Sequence, residues 1–411
     1  MDLRRDCDRI AAGAIARVLP GEAVCRALRG RDFGPGRLIL VAAGKASWSM
    51  ADAACGVLGG AVDGGIVITK YGHSRGAIGS LTIREAGHPI PDESGFSATR
   101  EALDLTVALR PEDTVLFLLS GGGSALFEAP LIDPEELQHI TAQLLACGAD
   151  ITEINTIRKR LSAVKGGRFA AHCAPAQVFT VVLSDVIGDP LDVIASGPAY
   201  PDSSTCADAR AIAEKYALSL SPAARRHLDE ETPKTLGNVT TLVTGSVREL
   251  CGAAAAVCRE LGYEPVVLTD CLTCEAREAG HFLAAIARSH QNTDKSLAFL
   301  AGGETVVHVT GQGLGGRNQE IALAAAEGIS GLRGTAVFSL GSDGTDGPTD
   351  AAGGYADGST AAQLAERGIS IHAALQNNDA YHALRAVDGL LMTGPTGTNV
   401  NDVSVVLIRR D

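Results

Sequence analysis

The chain has 411 residues, and single hydrophobic cores stop growing at about 250–300, so two domains are expected. Hydrophobic residues make up 45% and charged ones 20%, with 48 glycines and few aromatics (Phe 9, Tyr 6, Trp 1), which excludes a disordered chain and suits an α/β protein with many tight strand-to-helix turns. A formal net charge of -13 repels nucleic acid and anionic membranes, so neither is an expected partner, and any anion must be captured by local charge.

The opening stretch MDLRRDCDRIAAGAIARVL is charged through its first nine residues and reads as an amphipathic helix, not a signal peptide. No run approaches the roughly 18 apolar residues of a membrane span. Ten cysteines are scattered, mostly in apolar helix-like runs, which points to reduced thiols and a cytoplasmic location. Cys271 and Cys274 are close enough for half a zinc site or a redox pair, but no second pair exists to complete a zinc site.

Short β-branched runs alternate with amphipathic helices, the pattern of βα units on a largely parallel sheet. Strands are expected at 38–42, 65–69, 114–119, 178–183, 241–244, 265–268, 297–301, 335–340 and 389–392. Helices are expected near 4–18, 47–57, 96–109, 134–147, 153–171, 206–216, 247–261, 275–289, 317–327, 360–367 and 379–386. The polar stretch 219–238, with two prolines, is taken as the break between domains 1–235 and 236–411, the last strand being free to return to the first domain.

Several strand ends carry chemistry-bearing residues. Lys45 follows the apolar run 38–42 and precedes a helix, though Ile39 stands where a Walker A loop needs glycine. The run 114–119 ends in Ser120, Gly121, Gly122, Gly123 and Ser124, whose amides and hydroxyls suit an oxyanion beyond the carboxyl end of a parallel strand. Between Glu153 and Asp185 there is no acidic residue, yet Arg158, Lys159, Arg160, Lys165 and Arg168 fall there, with Gly166 and Gly167, as an anion site or as a solvated basic helix. Aspartates gather in two further glycine-rich loops, Asp185, Asp189 and Asp192 in one and Asp343, Asp346 and Asp350 in the other, placed to hold Mg²⁺, to accept a proton, or to cap turns.

Residues 309–326, VTGQGLGGRNQEIALAAA, place Gly311, Gly313 and Gly316 in GxGxxG order before a helix-like run. A nicotinamide site is one reading. Against it, Arg317 follows the last glycine directly, where a full positive charge on a helix N-terminus suits a phosphoryl group.

Taken together, VAAGKAS, GHPIPDESG, LLSGGGSALFEAP, INTIRKRLSAVKGGRFA, LSDVIGDPLDVIASGP, AGGETVVHVTGQGLGGRNQEIAL, GSDGTDGPTDAAG and TGPTGTNVNDVSVVL resemble the glycerate 2-kinases with a C-terminal MOFRL domain, in the same order from about residue 41 to 407. The resemblance implies a Rossmann-like α/β/α parallel-sheet domain, a smaller α/β MOFRL-type domain and an active site in the cleft between them. It implies ATP-dependent phosphorylation of D-glycerate at the 2-hydroxyl with Mg²⁺ or a similar cation, in a monomer or homodimer. Its active-site lysine and arginine fall on Lys45 and Arg317. In this reading Asp189 orients the substrate hydroxyl and Asp343 with Asp346 holds the metal. Phosphate or glycerate oxygens would meet Ser120 to Ser124, Arg158, Lys159, Lys165, Gly313, Gly315, Gly316 and Asn318. The rival readings are an NAD(P)H-dependent reductase of hydroxypyruvate or tartronate semialdehyde, resting on the GxGxxG glycines, and a sugar-phosphate sensor.

Overall fold

The computed structural model describes residues 2–410. By packing, the chain divides into one unit of residues Ala23–Thr244 and a second made of Met1–Glu22 with Gly245–Asp411.

The first unit carries strands β1 (Leu38–Ala43), β2 (Gly64–Lys70), β3 (Thr82–Ala86), β4 (Thr114–Leu119), β5 (Gln177–Leu183) and β6 (Val239–Gly245), in the order β3-β2-β1-β4-β5-β6. The pairings β3-β2, β2-β1, β1-β4 and β4-β5 are all parallel. Every residue of β1 and β4 is buried, which is why both read as unbroken apolar runs. Successive β1 residues serve opposite layers: Ile39 and Val41 join a core with Phe117, Phe127 and Phe169, while Leu38 and Leu40 join one with Met50 and Leu116. The sheet is thus covered on both faces, and its order reverses between β1 and β4, the place where open α/β sheets take ligands.

The second unit carries β7 (Glu264–Leu272), β8 (Leu297–Gly303), β9 (Thr335–Gly341), β10 (Gly353–Asp357), β11 (Leu390–Leu391) and β12 (Asp402–Ile408), in the order β11-β10-β9-β12-β8-β7. This sheet is mixed. Only β7-β8 is parallel, because β12 inserts antiparallel between β8 and β9.

Three expectations are corrected. The last strand, β12, stays in the second unit, and it is the first helix, Leu3–Val18, that crosses over to it. The break falls after β6, and the stretch read as a linker holds the helix Pro222–Leu228, started by Ser221 accepting from Ala224 N. The helix expected at 153–171 is two helices, Ile151–Arg160 and Arg168–Cys173, separated where Gly166 and Gly167 adopt φ of 58° and 82°. Among the described residues no helix is long and apolar enough to cross a membrane.

Candidate active site

The carboxyl edge of the first sheet is assembled loop by loop. Gly44 leaves β1 at φ 129°, and a methyl group there would lie 2.2 Å from Ser120 Oγ, so only glycine lets the β1 and β4 loops close on each other. Their backbones then interlock. Ser120 N donates to Ala43 O, Lys45 N donates to Gly121 O at 2.9 Å, and Ala46 N donates to Ser120 Oγ at 3.1 Å. Lys45 is thereby fixed beside the glycine loop, and among the described residues its ammonium has no carboxylate partner.

Two histidines complete this edge. His73, after β2, places Nδ1 3.1 Å from the Lys45 carbonyl. His88, after β3, lies against Gly122, where a methyl group would come within 2.9 Å of His88 Cδ2, 3.1 Å of His88 Nε2 and 3.1 Å of Lys45 Cγ. Burial first, then the charges of Lys45 and Lys70 and the His73 ring, hold His88 below the ordinary imidazole value. From β5, the carboxylate of Asp185 packs on Gly121, Oδ2 falling 2.1 Å from where a methyl group would sit. Asp189 adopts φ 52° and keeps a buried Oδ1 without a hydrogen-bond partner. With Ala195 and Ser196 at φ 51° and 62°, the segment after β5 concentrates backbone strain, a common mark of functional sites. Ser124 Oγ meets Ser196 Oγ at 3.1 Å, and Ser196 donates to Asn155 Oδ1.

The basic segment is largely structural. Lys165 is fully buried on the carboxylate of Glu128, and burial pulls its ammonium down to about 8. Lys159 is buried and bonds Asp202 at 3.0 Å, with Asp192 at 3.7 Å. Both lysines were expected to bind anions, but each is committed to an internal carboxylate. The amides of Gly166 and Gly167 are spent on Ser196 O and Gly197 O. Arg158 lies nearer the site, donating to Ser124 O at 3.0 Å and standing 3.6 Å from Glu128.

The GxGxxG stretch is corrected too. Thirteen residues separate Gly303, the end of β8, from the helix Arg317–Gly328, so no tight strand-to-helix turn forms. Thr310 N and Gly311 N donate to Asn378 Oδ1, Gly313 N to Asn377 O, and Leu314 N to Asp379 Oδ1. At the helix start, Asn318 N and Gln319 N donate to the two oxygens of Asp346 at 3.1 and 2.8 Å. The loop amides are thus taken by Asn377, Asn378 and Asp379 and the helix-start amides by Asp346, and the dinucleotide reading loses its support. Asn318 is buried, bonding Asp346 and Ser339, so it is an internal residue and not a phosphate contact. Gly316 packs on Asp346, a methyl group there falling 2.3 Å from its carboxyl carbon, and Gly315 faces Ala380.

Asp346, expected at the metal, serves the helix start here. It is buried with both oxygens occupied by helix donors, and burial raises it from the usual carboxylate range. Asp343, half-buried, caps Thr345 N at 3.0 Å. Among the described residues no group of three or more His, Cys, Asp or Glu is arranged to hold a metal, at Asp343 and Asp346 or at Cys271 and Cys274.

Arg317 begins the same helix but is not a bare charge. Its Nε and Nη2 grip Asp402 at 2.5 and 3.1 Å, and Nη1 bonds Glu304 at 2.8 Å. Burial works against its charge, yet the two carboxylates hold it well above its ordinary value. The clamp fixes the plane of the guanidinium.

A doubly wound sheet with lysine, histidine, aspartate and a glycine loop at its switch point defines an α/β enzyme that handles an anionic ligand. Residues 6–229 match a family model described as a domain of unknown function, DUF4147, and residues 297–402 match the MOFRL family. The chain is 52% identical to a D-glycerate 2-kinase of Thermotoga maritima, over 99% of this chain and 98% of that protein, and 40% identical to a glycerate 2-kinase of Pyrococcus horikoshii, over 99% and 98%. The crystal structure of a glycerate kinase from Thermotoga maritima superposes with a TM-score of 0.95 at 50% identity, covering 99% of this chain and 100% of that one. The chain belongs to the glycerate 2-kinase family.

His73 and His88 were missed from the sequence. A signal existed: each follows the end of a strand by a few residues, as Lys45 does, but TIREA (82–86) is too polar to read as a strand.

Proposed function

We propose that the protein transfers the γ-phosphoryl group of ATP to the 2-hydroxyl of D-glycerate, giving 2-phosphoglycerate and ADP. The observation that carries this is the placement of Lys45, whose ammonium has no carboxylate partner among the described residues, beside the Ser120–Ser124 loop at the sheet's switch point, in a chain similar to proteins named glycerate 2-kinase.

Phosphoryl transfer asks mainly for positioning and charge neutralisation. Lys45 neutralises one of the two anions of the reaction, the γ-phosphate or the glycerate carboxylate. The loop Ser120–Ser124 offers amides and hydroxyls to oxygens of the same ligands. The partnerless Oδ1 of Asp189 is available to orient the 2-hydroxyl. A divalent cation brought in with ATP would supply charge neutralisation on the phosphates.

The test is incubation with D-glycerate, ATP and Mg²⁺, followed by ³¹P NMR with proton coupling to identify the phosphorylated carbon. Coupling to the single C2 proton is expected. Coupling to the C3 methylene overturns the regiochemistry, and absence of transfer, with NADH consumed on hydroxypyruvate, overturns the reading.

A further inference from the structure

The switch-point cluster contains one nucleophilic group that positioning and charge neutralisation do not use. His88 is half-buried and, among the described residues, makes no hydrogen bond or ion pair, whereas His73 is tied to the Lys45 carbonyl. Its ring is held edge-on to Gly122, with Nε2 the nitrogen toward the loop and the Lys45 stem alongside. The groups facing it are cationic or ionisable to cations: Lys45 after β1, and Lys70 and His73 from β2 and its loop. Asp185, from the β5 side, packs on neighbouring Gly121.

We propose that His88 is the general base of the reaction, its ring accepting the proton of the 2-hydroxyl as that oxygen attacks phosphorus. This rests on the glycerate phosphorylation proposed above. The bond from the hydroxyl oxygen to the γ-phosphorus forms, the bond from that phosphorus to the bridging oxygen of ADP breaks, and the electron pair leaves with ADP. The hydroxyl proton passes to the imidazole and then to solvent, so no further reactant is required. An imidazole crowded by lysines suits this part, because its surroundings keep it neutral and able to accept a proton near pH 7. A carboxylate in the same place would be drawn into an ion pair with Lys45.

The sign of the pH dependence follows. A base is active when deprotonated, and His88 loses its proton below the ordinary imidazole midpoint of 6.5, so kcat should fall on the acid side of that value. In His88→Gln we expect kcat to drop about 10²- to 10⁴-fold and the acid limb to disappear. The affinity for ADP, read by calorimetry, should stay within threefold. His73→Gln should keep the limb. Should His88→Gln fold poorly, His88→Gly with added imidazole gives the second reading: rate restored in proportion to free imidazole base supports the assignment. The proposal is overturned if His88→Gln retains kcat within threefold, if its acid limb matches the parent's, or if imidazole restores nothing to a folded His88→Gly. Parent enzyme that phosphorylates glycerate alongside an unaffected variant overturns this inference alone, whereas parent enzyme that never phosphorylates glycerate overturns the reading beneath it.

Discussion

Two glycine-rich loops, each lying between a buried strand and a helix, are put to opposite uses. In Ser120–Ser124 the groups brought against the glycines are the side chains of Lys45, His88 and Asp185, a mixed set facing one sheet edge. In Thr310–Gly316 the approaching groups are the backbone of Asn377 and the carboxylates of Asp379 and Asp346, which take up the loop and helix amides. Glycine spacing thus reports that something comes close. Which partner comes close is decided by distant segments: the first loop gathers a lysine, a histidine and an aspartate, whereas the second has its amides taken up internally.

Three measurements test this contrast. Lys45→Ala should lower kcat/KM about 10³-fold or more, as expected for loss of a cation at a transferring phosphoryl group, with an unchanged thermal midpoint. Near-parental turnover in a folded variant would remove the first loop's claim. Gly313→Ala should act on stability, since its methyl group would fall 2.4 Å from Asp379 Cβ and 2.6 Å from Asn377 O. The expected cost is about 1–3 kcal/mol by denaturant titration, with kcat of the folded protein retained. Lost turnover at full stability would mean the second loop does bind substrate. Asp346→Ala should cost about 1–3 kcal/mol, because it leaves buried helix amides without an acceptor, and leave the Mg²⁺ requirement as it was. A raised Mg²⁺ requirement would return Asp346 to the metal.

The parts of the fold that could be read from the sequence are those in which local pattern and environment coincide. β1 and β4, buried on both faces, announce themselves as apolar runs. β3 does not, because most of its residues are only partly buried, and β10, GGYAD, is too short of apolar residues to stand out. The mixed direction of the second sheet depends on β12 pairing across the chain, which no local pattern records. The site divides the same way. Lys45 and the Ser120 loop are visible as polar residues at strand ends. Lys159 and Lys165 looked available because their carboxylate partners, Asp202 and Glu128, lie 43 and 37 positions away. The Asp402 that clamps Arg317 is 85 positions away.

The helix Leu3–Val18 gives the chain an order of events. It is made before Ala23–Thr244, yet Cys7, Ile10, Ala14 and Val18 pack against Leu250, Cys251, Ala254 and Cys258, and its end is tied by Thr398 Oγ1 to Val18 O. An uninterrupted segment, Ala23–Thr244, has all its strands long before that greasy stripe meets its seat. A nascent polypeptide must therefore carry the stripe unshielded while the whole of Ala23–Thr244 is made, which makes it a natural handle for chaperones.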